Sequence, residues 1–277
     1  MAIAFDANLG TTGQASGASL ALTTTAAAAS GSKVFALVFY ASATATCTIT
    51  GGGLTWTNDV FYQADGMTLL IATADAPSGL SSSTALTATF SVSPGISQFA
   101  GMSFTGLAAQ GSVVDASATP RTQFNTTTWV SNGLTTTNPD DLMVGWSNTA
   151  GVNAPTDTAA GSFTEVHDFA QGALTACTSV YRIVSSTGTY QATGTWSLSQ
   201  AGADQRTVVI SYKMDTGPVL VWDKTVVQTF APERQQILYG PRWMTGAGDR
   251  PADWTVVPSF GTSASEDWPE IFSPFNF

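Results

Sequence analysis

The chain has 277 residues, of which 19 are acidic, 9 are basic and one is histidine, so its formal net charge is −10. The basic residues are scattered singly, which argues against nucleic acid as a partner, because phosphate binding needs clustered Lys and Arg. Only 10% of the residues are charged and 43% are hydrophobic. This composition indicates a folded all-β protein and excludes long disorder.

Short strand-like segments follow one another from the amino terminus, each bounded by Gly, Pro, Asn, Asp or Ser. Their spacing of roughly 8 to 15 residues is typical of a β-sandwich or barrel and not of βαβ units. The sequence therefore predicts an all-β fold with fourteen strands: IAFDA, SLALTTT, KVFALVFYAS, TATCTIT, LTWTNDVFYQ, MTLLIATA, TALTATFSV, FAGMSFTGL, WVSNGLTT, DLMVGWSNT, FTEVHDFA, ALTACTSVYRIV, TYQATGTWSLS and RTVVISYKM.

These strands repeat in order and spacing. An offset of 108 positions aligns Val34 with Leu142, and the same offset brings Phe61 onto Phe169 and Phe104 onto Tyr212. Two similar antiparallel sets of strands would cover each other's apolar faces. We therefore expect a two-sheet antiparallel, jelly-roll-like sandwich with an internal pseudo-repeat over residues 1–215.

The alternation of the strands also predicts which side chains lie in the core of this sandwich. Inward-facing positions of a strand recur at every second residue. We expect these side chains to be mostly buried: Leu37, Phe39, Trp56, Leu70, Phe90, Phe104, Leu142, Val144, Tyr181, Trp196 and Ile210.

Composition changes near Asp215. The first 215 residues hold 17 charged residues and 5 prolines, whereas the last 62 hold 11 charged residues and 7 prolines. Residues 216–277 are predicted to form an extended arm, because prolines interrupt continuous sheet or helix pairing. We expect the aromatic side chains of this arm to dock on a partner: Trp222, Trp243, Trp254, Trp268, Phe272, Phe275 and Phe277.

Membrane and export signals are not evident in the sequence. No run of about 18 apolar residues and no basic amphipathic helix is present, so no membrane role is expected. The segment MAIAFDANLG lacks a positive region followed by an apolar stretch, which disfavours standard secretion. Cys47 and Cys177 are expected to be buried free thiols, with a bridge between them and pairing with another chain left open.

Motifs for catalysis, metals and cofactors are missing from the sequence. No G-x-S-x-G, H-E-x-x-H, P-loop or dinucleotide-binding pattern occurs. His167 is the single histidine, and we interpret it as either a surface residue or a histidine whose hydrogen bonds are satisfied within the fold. Asp140 and Asp141 follow Asn138 and Pro139 in what we interpret as an ordinary turn, with a calcium ligand left open as the alternative. The sequence predicts no catalytic residue, no metal site and no cofactor.

Four tryptophans are candidates for stacking against sugar rings: Trp56, Trp129, Trp146 and Trp196. Each lies within an alternating strand, which favours packing in the core over a role in sugar binding. The triple glycine Gly51, Gly52 and Gly53 predicts a tight hairpin connection, since no helix follows it to bind a phosphate.

Several segments carry a resemblance to a known family: FDA, SKVFALVFYAS, GGGLTW, MTLLIATADAPSG, LTATFS, FAGMSFTGL and NPDDLMVGWS. Together they resemble a β-sandwich family that recurs in tailed-bacteriophage virion proteins and some bacterial surface proteins. The resemblance covers about residues 3–214. It implies a structural or receptor-facing virion component and no catalytic residue. MTLLIATA replaces an aromatic pair often seen in the family, and residues after Asp215 match none of its patterns.

Three functions follow as expectations. The first is a non-enzymatic structural protein of a bacteriophage virion, in the head decoration, collar or tail, assembled in the host cytoplasm. Its partners would be major capsid or tail subunits, or further copies of the chain. The alternative is a carbohydrate-binding or receptor-binding adhesin module that contacts a host surface glycan. An enzyme acting on polysaccharide would need two carboxylates facing each other across a groove.

Overall fold

The structure is a computed structural model that describes residues 2–124, 126–150, 157–171, 175–197 and 204–217, together with four short strands after residue 218. The chain divides into two compact units, Met1–Gly217 and Pro218–Phe277. The described residues contain strands and no helix, which confirms the all-β prediction for this part of the chain.

The first unit contains two successive groups of strands, called here the first and second halves. The strands of the first half are β1 (Ala4–Gln14), β2 (Ser19–Thr23), β3 (Ser32–Tyr40), β4 (Cys47–Gly51), β5 (Thr57–Ala64), β6 (Met67–Ala76), β7 (Ala85–Phe90) and β8 (Ser97–Thr105). Those of the second half are β9 (Val114–Ser117), β10 (Arg121–Phe124), β11 (Thr128–Val130), β12 (Leu134–Thr135), β13 (Asp140–Ala150), β14 (Asp157–Ala160), β15 (Thr164–Gln171), β16 (Thr175–Ser185), β17 (Thr189–Tyr190), β18 (Thr193–Trp196) and β19 (Asp204–Lys213).

Each half has one large and at least one small antiparallel sheet. The large sheet of the first half has the order β1-β8-β3-β6-β5, and its small sheet has the order β2-β7-β4. The large sheet of the second half has the order β10-β19-β13-β16-β15, with β9 also paired to β19. Its small sheets are β11-β18-β14 and β12-β17.

The two large sheets pack face to face. Phe35 and Leu37 of β3 share a core with Val144 and Trp146 of β13, and we call this the central core. The intervening residues of β3 enter a second core with the small sheet of the first half. A third core lies between the large and small sheets of the second half. The unit therefore has more layers than the predicted two-sheet sandwich, because both faces of each large sheet are covered.

The segment SKVFALVFY explains this layering at the level of sequence. All nine residues of β3 are buried. A strand with only one covered face alternates between apolar and polar residues, whereas a strand covered on both faces is an unbroken apolar run. The unbroken run in β3 is therefore the sequence signal for an additional sheet.

The order of strands repeats between the halves. The large sheets match position by position, and β2-β7-β4 corresponds to β11-β18-β14. A β-bulge also interrupts equivalent strands: β5 between Asn58 and Val60, and β15 between Glu165 and His167. Strand order and bulge position thus agree between the two halves.

One predicted residue match within the repeat is displaced by a single position. Tyr62 lies two positions after Val60, the first paired residue beyond the bulge, as Phe169 lies two positions after His167. Tyr62 and Phe169 both pack against the central core, whereas Phe61 points to the other face and is 47% exposed. Tyr62 is therefore the counterpart of Phe169, because a shift of one residue moves a side chain to the opposite face of a strand.

The match of Val34 with Leu142 is displaced in the same way. Leu142 lies in the central core, whereas Val34 lies in the core beneath the small sheet. Lys33 pairs with Phe104 as Leu142 pairs with Tyr212, so Lys33 is the counterpart of Leu142. The other neighbouring strands give the same counterpart independently: Lys33 pairs with Asp75 and Leu142 with Ile183, and each of these partners lies six residues after the partner of Tyr62 or Phe169. The predicted match of Phe104 with Tyr212 is thereby confirmed.

The predicted core residues lie largely where they were expected. Trp56 and Tyr181 are only partly buried, and each packs against the edge of a core. The other nine are buried: Leu37, Phe39, Leu70, Phe90, Phe104, Leu142, Val144, Trp196 and Ile210.

The second unit contains four short described strands: β20 (Val219–Trp222), β21 (Val227–Gln228), β22 (Gln236–Ile237) and β23 (Pro241–Met244). β20 pairs with β23 and β21 pairs with β22, both antiparallel. Residues 216–277 were expected to lack continuous pairing, and these two pairs are short, at four and two residues per strand.

Candidate functional site

The predicted docking residues fall in or beyond these short strands. Trp222 ends β20, where its backbone pairs with Pro241, and Trp243 lies in β23, paired with Leu220. The remaining predicted docking residues lie outside the described residues: Trp254, Trp268, Phe272, Phe275 and Phe277. Docking by residues 216–277 therefore stays a prediction.

His167 is held in a hydrogen-bond chain between the two halves. Its Nδ1 lies 2.7 Å from Ser179 Oγ, and its Nε2 lies 2.8 Å from Asn8 Oδ1. Asn8 also donates to the carbonyl oxygen of Val166 at 3.1 Å. Burial lowers the pKa of His167 to about 4, so the ring is neutral at pH 7. These contacts make His167 a packing residue that joins β1 to β15.

Ser179, His167 and Asn8 are connected in the same way as the nucleophile, the base and the orienting group of a catalytic triad. Ser179 is 0% exposed and His167 is 4% exposed. A substrate cannot reach a hydroxyl group that is enclosed in this way, so the chain of hydrogen bonds lacks the open site that acyl transfer requires. Ser179 and Asn8 could not be found from sequence, because they come from strands far apart along the chain.

A second polar network lies at one end of the large sheets. Lys33 is 2% exposed, and its ammonium group binds the carboxylate of Asp75 and donates to Gln110 Oε1 at 3.1 Å. Thr73 donates to Asp59 Oδ2 at 2.7 Å, and the Tyr212 hydroxyl donates to the same oxygen at 3.0 Å. The network therefore links β3, β5 and β6 of the first half to β19 of the second.

The chemistry of this network is structural. Burial raises the pKa of Asp59, although hydrogen bonds from Thr73 and Tyr212 oppose the rise. Burial and the neighbouring Asp59 raise the pKa of Tyr212 well above its usual value, so this phenol keeps its proton. The lysine is paired, and the hydroxyl groups are engaged as donors. No sequence pattern marked these residues, because each is a single polar position in an apolar strand.

Cys47 and Cys177 are free and buried, which confirms the expected state of both thiols. They lie in different cores, Cys47 beneath the small sheet of the first half and Cys177 in the central core. Burial raises the pKa of Cys47 to about 12 and the pKa of Cys177 well above its usual value. Neither thiol is therefore activated for nucleophilic chemistry or metal binding.

The tryptophans considered for sugar stacking are mainly core residues. Trp129, Trp146 and Trp196 are at most 1% exposed. Trp56 is partly buried against the core of the first half, and its Nε1 donates to Gly51 O at 3.4 Å. Three of the four rings thus present no face to solvent, as the alternating strands predicted.

A cleft of about 340 Å³ lies at the end of the second half, where the chain leaves the first unit. The carboxyl groups of Asp115 and Asp141 lie in hydrogen-bonding contact in the same region. The cleft is lined by Ala108, Ser112, Asn138, Pro139, Asp140, Lys213, Met214 and Thr216. Asp140 and Asp141, which the sequence predicted to belong to a turn, are the first two residues of β13.

Within the described residues, no group of three or more His, Cys, Asp or Glu side chains could hold a metal ion. None of the described residues belongs to a helix that is long and apolar enough to cross a membrane. No family model, curated protein or solved structure matches this chain.

Proposed function

We propose that this chain is a non-enzymatic structural protein of a bacteriophage virion that docks on neighbouring subunits through residues 216–277. The division of the chain at Gly217 into two compact units carries the proposal. A densely packed first unit suits a rigid building block, and a second unit rich in proline and tryptophan suits contact with a neighbour.

The state of the reactive groups in the first unit supports the non-enzymatic part of the proposal. His167, Lys33 and both cysteines are buried and engaged in packing or hydrogen bonds. Catalysis requires a nucleophile or base that a substrate can approach. We therefore assign no catalytic residue and no cofactor to the described residues.

We further infer that each half of the first unit is a jelly-roll unit and that the chain arose by duplication. The order β1-β8-β3-β6 facing β2-β7-β4 supports this inference, because it places the strands of two Greek keys in two facing sheets. The matching order and matching bulge in the second half support the duplication.

The virion assignment rests on the resemblance to the bacteriophage β-sandwich family, and the resemblance covers only the first unit. The partners proposed are major capsid or tail subunits or further copies of the chain, and the proposed location is the virion. The alternative of a glycan-binding adhesin would need exposed aromatic rings, and Trp129, Trp146 and Trp196 do not supply them.

A truncation after Gly217 tests the proposal. The truncated chain should unfold cooperatively, because the three cores lie wholly before this residue. Sedimentation velocity should show the intact chain in assemblies with itself or with co-expressed virion subunits, and the truncated chain as a monomer. Normal assembly of the truncated chain would contradict docking by residues 216–277.

A glycan screen with the intact chain separates the structural function from the adhesin. Saturable binding of a defined glycan that survives in the truncated chain would favour the adhesin and would place its site in the first unit. The structural proposal predicts no such binding.

A further inference from the structure

Asp141 has an unusual environment for a carboxylate. It lies at the second position of β13 and is 0% exposed. Neither of its carboxyl oxygens accepts a hydrogen bond from an N–H or O–H group of the described residues. An ionised carboxylate that is buried without donors is very costly, because nothing replaces the water that it has lost.

The carboxyl group of Asp115 lies beside Asp141. It binds Thr137 and Asn138 just before β13, and a hydrogen bond between the two carboxyl groups contributes to the pKa shifts of both. Asp115 is the extra residue in a β-bulge of β9, between the positions that pair with Ser211 and Tyr212. Side chains alternate between the two faces of a regular strand, and a bulge re-aims one of them. The bulge thus accounts for the direction in which Asp115 points.

Asp115 is well supplied with donors. Its Oδ2 accepts a hydrogen bond of 2.7 Å from the Thr137 backbone N–H, and its Oδ1 accepts bonds from the Thr137 hydroxyl and, at 2.6 Å, from Asn138 Nδ2. These bonds outweigh the effect of burial and lower the pKa of Asp115. Asp115 is therefore the ionised member of the pair.

Two ionised carboxylates have no hydrogen to share, so their contact requires a proton between them. Burial, followed by the contact with Asp115, raises the pKa of Asp141 to about 7. Among the described residues, Asp115 has hydrogen-bond donors and Asp141 has none, so Asp141 carries the proton. Its O–H group donates a hydrogen bond to the carboxylate of Asp115.

The other charges that face the pair come from two strands. Lys213 of β19 pairs with Asp141 in the sheet and favours the ionised forms, whereas Asp140 on β13 itself disfavours them. On the opposite side, β16 offers Val184 and Ser185, which are uncharged. Within the described residues, Lys213 forms no ion pair with either carboxylate, so it does not neutralise the pair directly.

We propose that Asp115 and Asp141 share one proton and act as a pH-sensitive clasp that fastens the β9 bulge and the Thr137–Asn138 turn to the start of β13. The clasp lies beside the cleft described above, which is lined by Asn138, Asp140 and Thr216 near the end of the first unit. Loss of the proton brings two negative charges into contact, and the bulge and turn then separate from β13 and open toward the cleft.

The direction of the pH effect follows from the two states of Asp141. Its pKa is about 7 in the folded chain and 3.8 as a free side chain. Between these values the folded state holds a proton that the unfolded state releases, so the clasp loses strength as pH rises through this window. Above pH 7 the pair is ionised and the clasp is open.

The variant Asp141→Asn tests the clasp, since an amide can donate to Asp115 but cannot ionise. Asp140→Asn is the matched control, because it removes a neighbouring charge and leaves the pair intact. Unfolding midpoints should be compared for the intact chain at pH values of about 5 and about 8, on either side of the upper end of the window. The wild type and Asp140→Asn should lose stability relative to Asp141→Asn on going to the higher pH.

A parallel pH profile for all three proteins would overturn the proposal. If Asp141→Asn does not fold, carbon-13 spectra of the wild-type carboxyl groups provide the second measurement. One Asp resonance should titrate near pH 7 together with the amide signals of β9 and Thr137, and titration of every Asp below about pH 5 would overturn the clasp.

A cation could bridge two carboxylates in place of a proton, and millimolar Ca²⁺ at the higher pH tests this directly. The clasp predicts no change in the unfolding midpoint of the wild type. A calcium-induced rise that Asp141→Asn abolishes would show a bound cation and would overturn the shared proton.

Discussion

The hydroxyl of Tyr212 donates a 3.0 Å hydrogen bond to the carboxylate of Asp59 and so joins the two halves of the first unit through a β-bulge. The equivalent bulge of the second half holds Val166, which packs against the central core. The two halves therefore share the same strand order, but the bulge residue is the polar Asp59 in the first half and the apolar Val166 in the second. The polar version connects β5 of the first half to β19 of the second.

Replacing Tyr212 with Phe tests this link. The change removes one donor and leaves Asp59 less satisfied, which should lower the free energy of unfolding by about 1–3 kcal/mol. It should also raise the pKa of Asp59 further, since the hydrogen bond from Tyr212 favours the ionised carboxylate. Urea unfolding measures the first effect.

Tyr62→Phe is the matched control, because the Tyr62 hydroxyl also makes a 3.0 Å bond between the halves, but to the neutral Thr122. Its loss should cost only about 0.5–1.5 kcal/mol. Equal losses in the two variants would contradict a special role for the bond to Asp59.

The central core should dominate the stability of the first unit. Phe39→Ala removes a ring that is 0% exposed between the two large sheets and should cost about 3–5 kcal/mol. Phe61→Ala makes the same chemical change at a ring that is 47% exposed, and it should cost far less. Chemical unfolding of both variants compares them, and similar losses would place Phe39 outside a well-packed core.

Because His167 is buried and neutral, the free energy of unfolding should fall in acid. Its pKa is about 4 in the folded chain and 6.5 as a free side chain, because burial disfavours the charged ring. The folded state binds fewer protons than the unfolded state between these values. Stability should therefore fall by up to about 1.4 kcal/mol per pH unit as pH decreases from 6.5 toward 4.

His167→Gln should remove this contribution, because glutamine keeps polar contacts to Ser179 and Asn8 without titrating. Thermal unfolding of both proteins across this range measures the difference. Parallel pH profiles for the two proteins would mean that the pKa of His167 does not rise on unfolding. They would contradict a neutral, buried His167 in the folded chain.

The sequence predicted the all-β class and most of the strands, but it missed β9, β10 and β14 and merged β11 with β12 and β17 with β18. Alternation and punctuation by Gly and Pro are local signals, and β4 illustrates the alternation. The small outer sheets were missed, although the unbroken apolar run from Val34 to Tyr40 indicates two covered faces. Alignment of the repeat failed by one residue at Phe61, because two residues separate β5 from β6 whereas three separate β15 from β16, and a constant offset cannot follow this difference.

The candidate site could not be predicted in the same way. Asp115 and Asp141 lie on different strands, and their contact depends on a bulge in β9. Asp59 and Tyr212 are joined across even more of the chain. Such pairs depend on how strands far apart in sequence are packed, which composition and periodicity do not encode.

The proposed docking through the second unit depends on its aromatic side chains as anchors. Replacing Trp254, Trp268 and Phe277 with Ser removes three rings, each of which would bury on the order of 150–250 Å². The control keeps a ring at every position, with Trp254→Phe, Trp268→Phe and Phe277→Tyr. Neither set of changes falls within the first unit, so both proteins should keep its unfolding midpoint.

Sedimentation velocity on the intact chain and these two variants is the most direct measurement. The account predicts that the wild type and the ring-preserving control assemble with copies of the chain or with co-expressed virion subunits, and that the serine variant remains a folded monomer. Assembly of the serine variant to the same extent as the wild type would contradict docking through these residues.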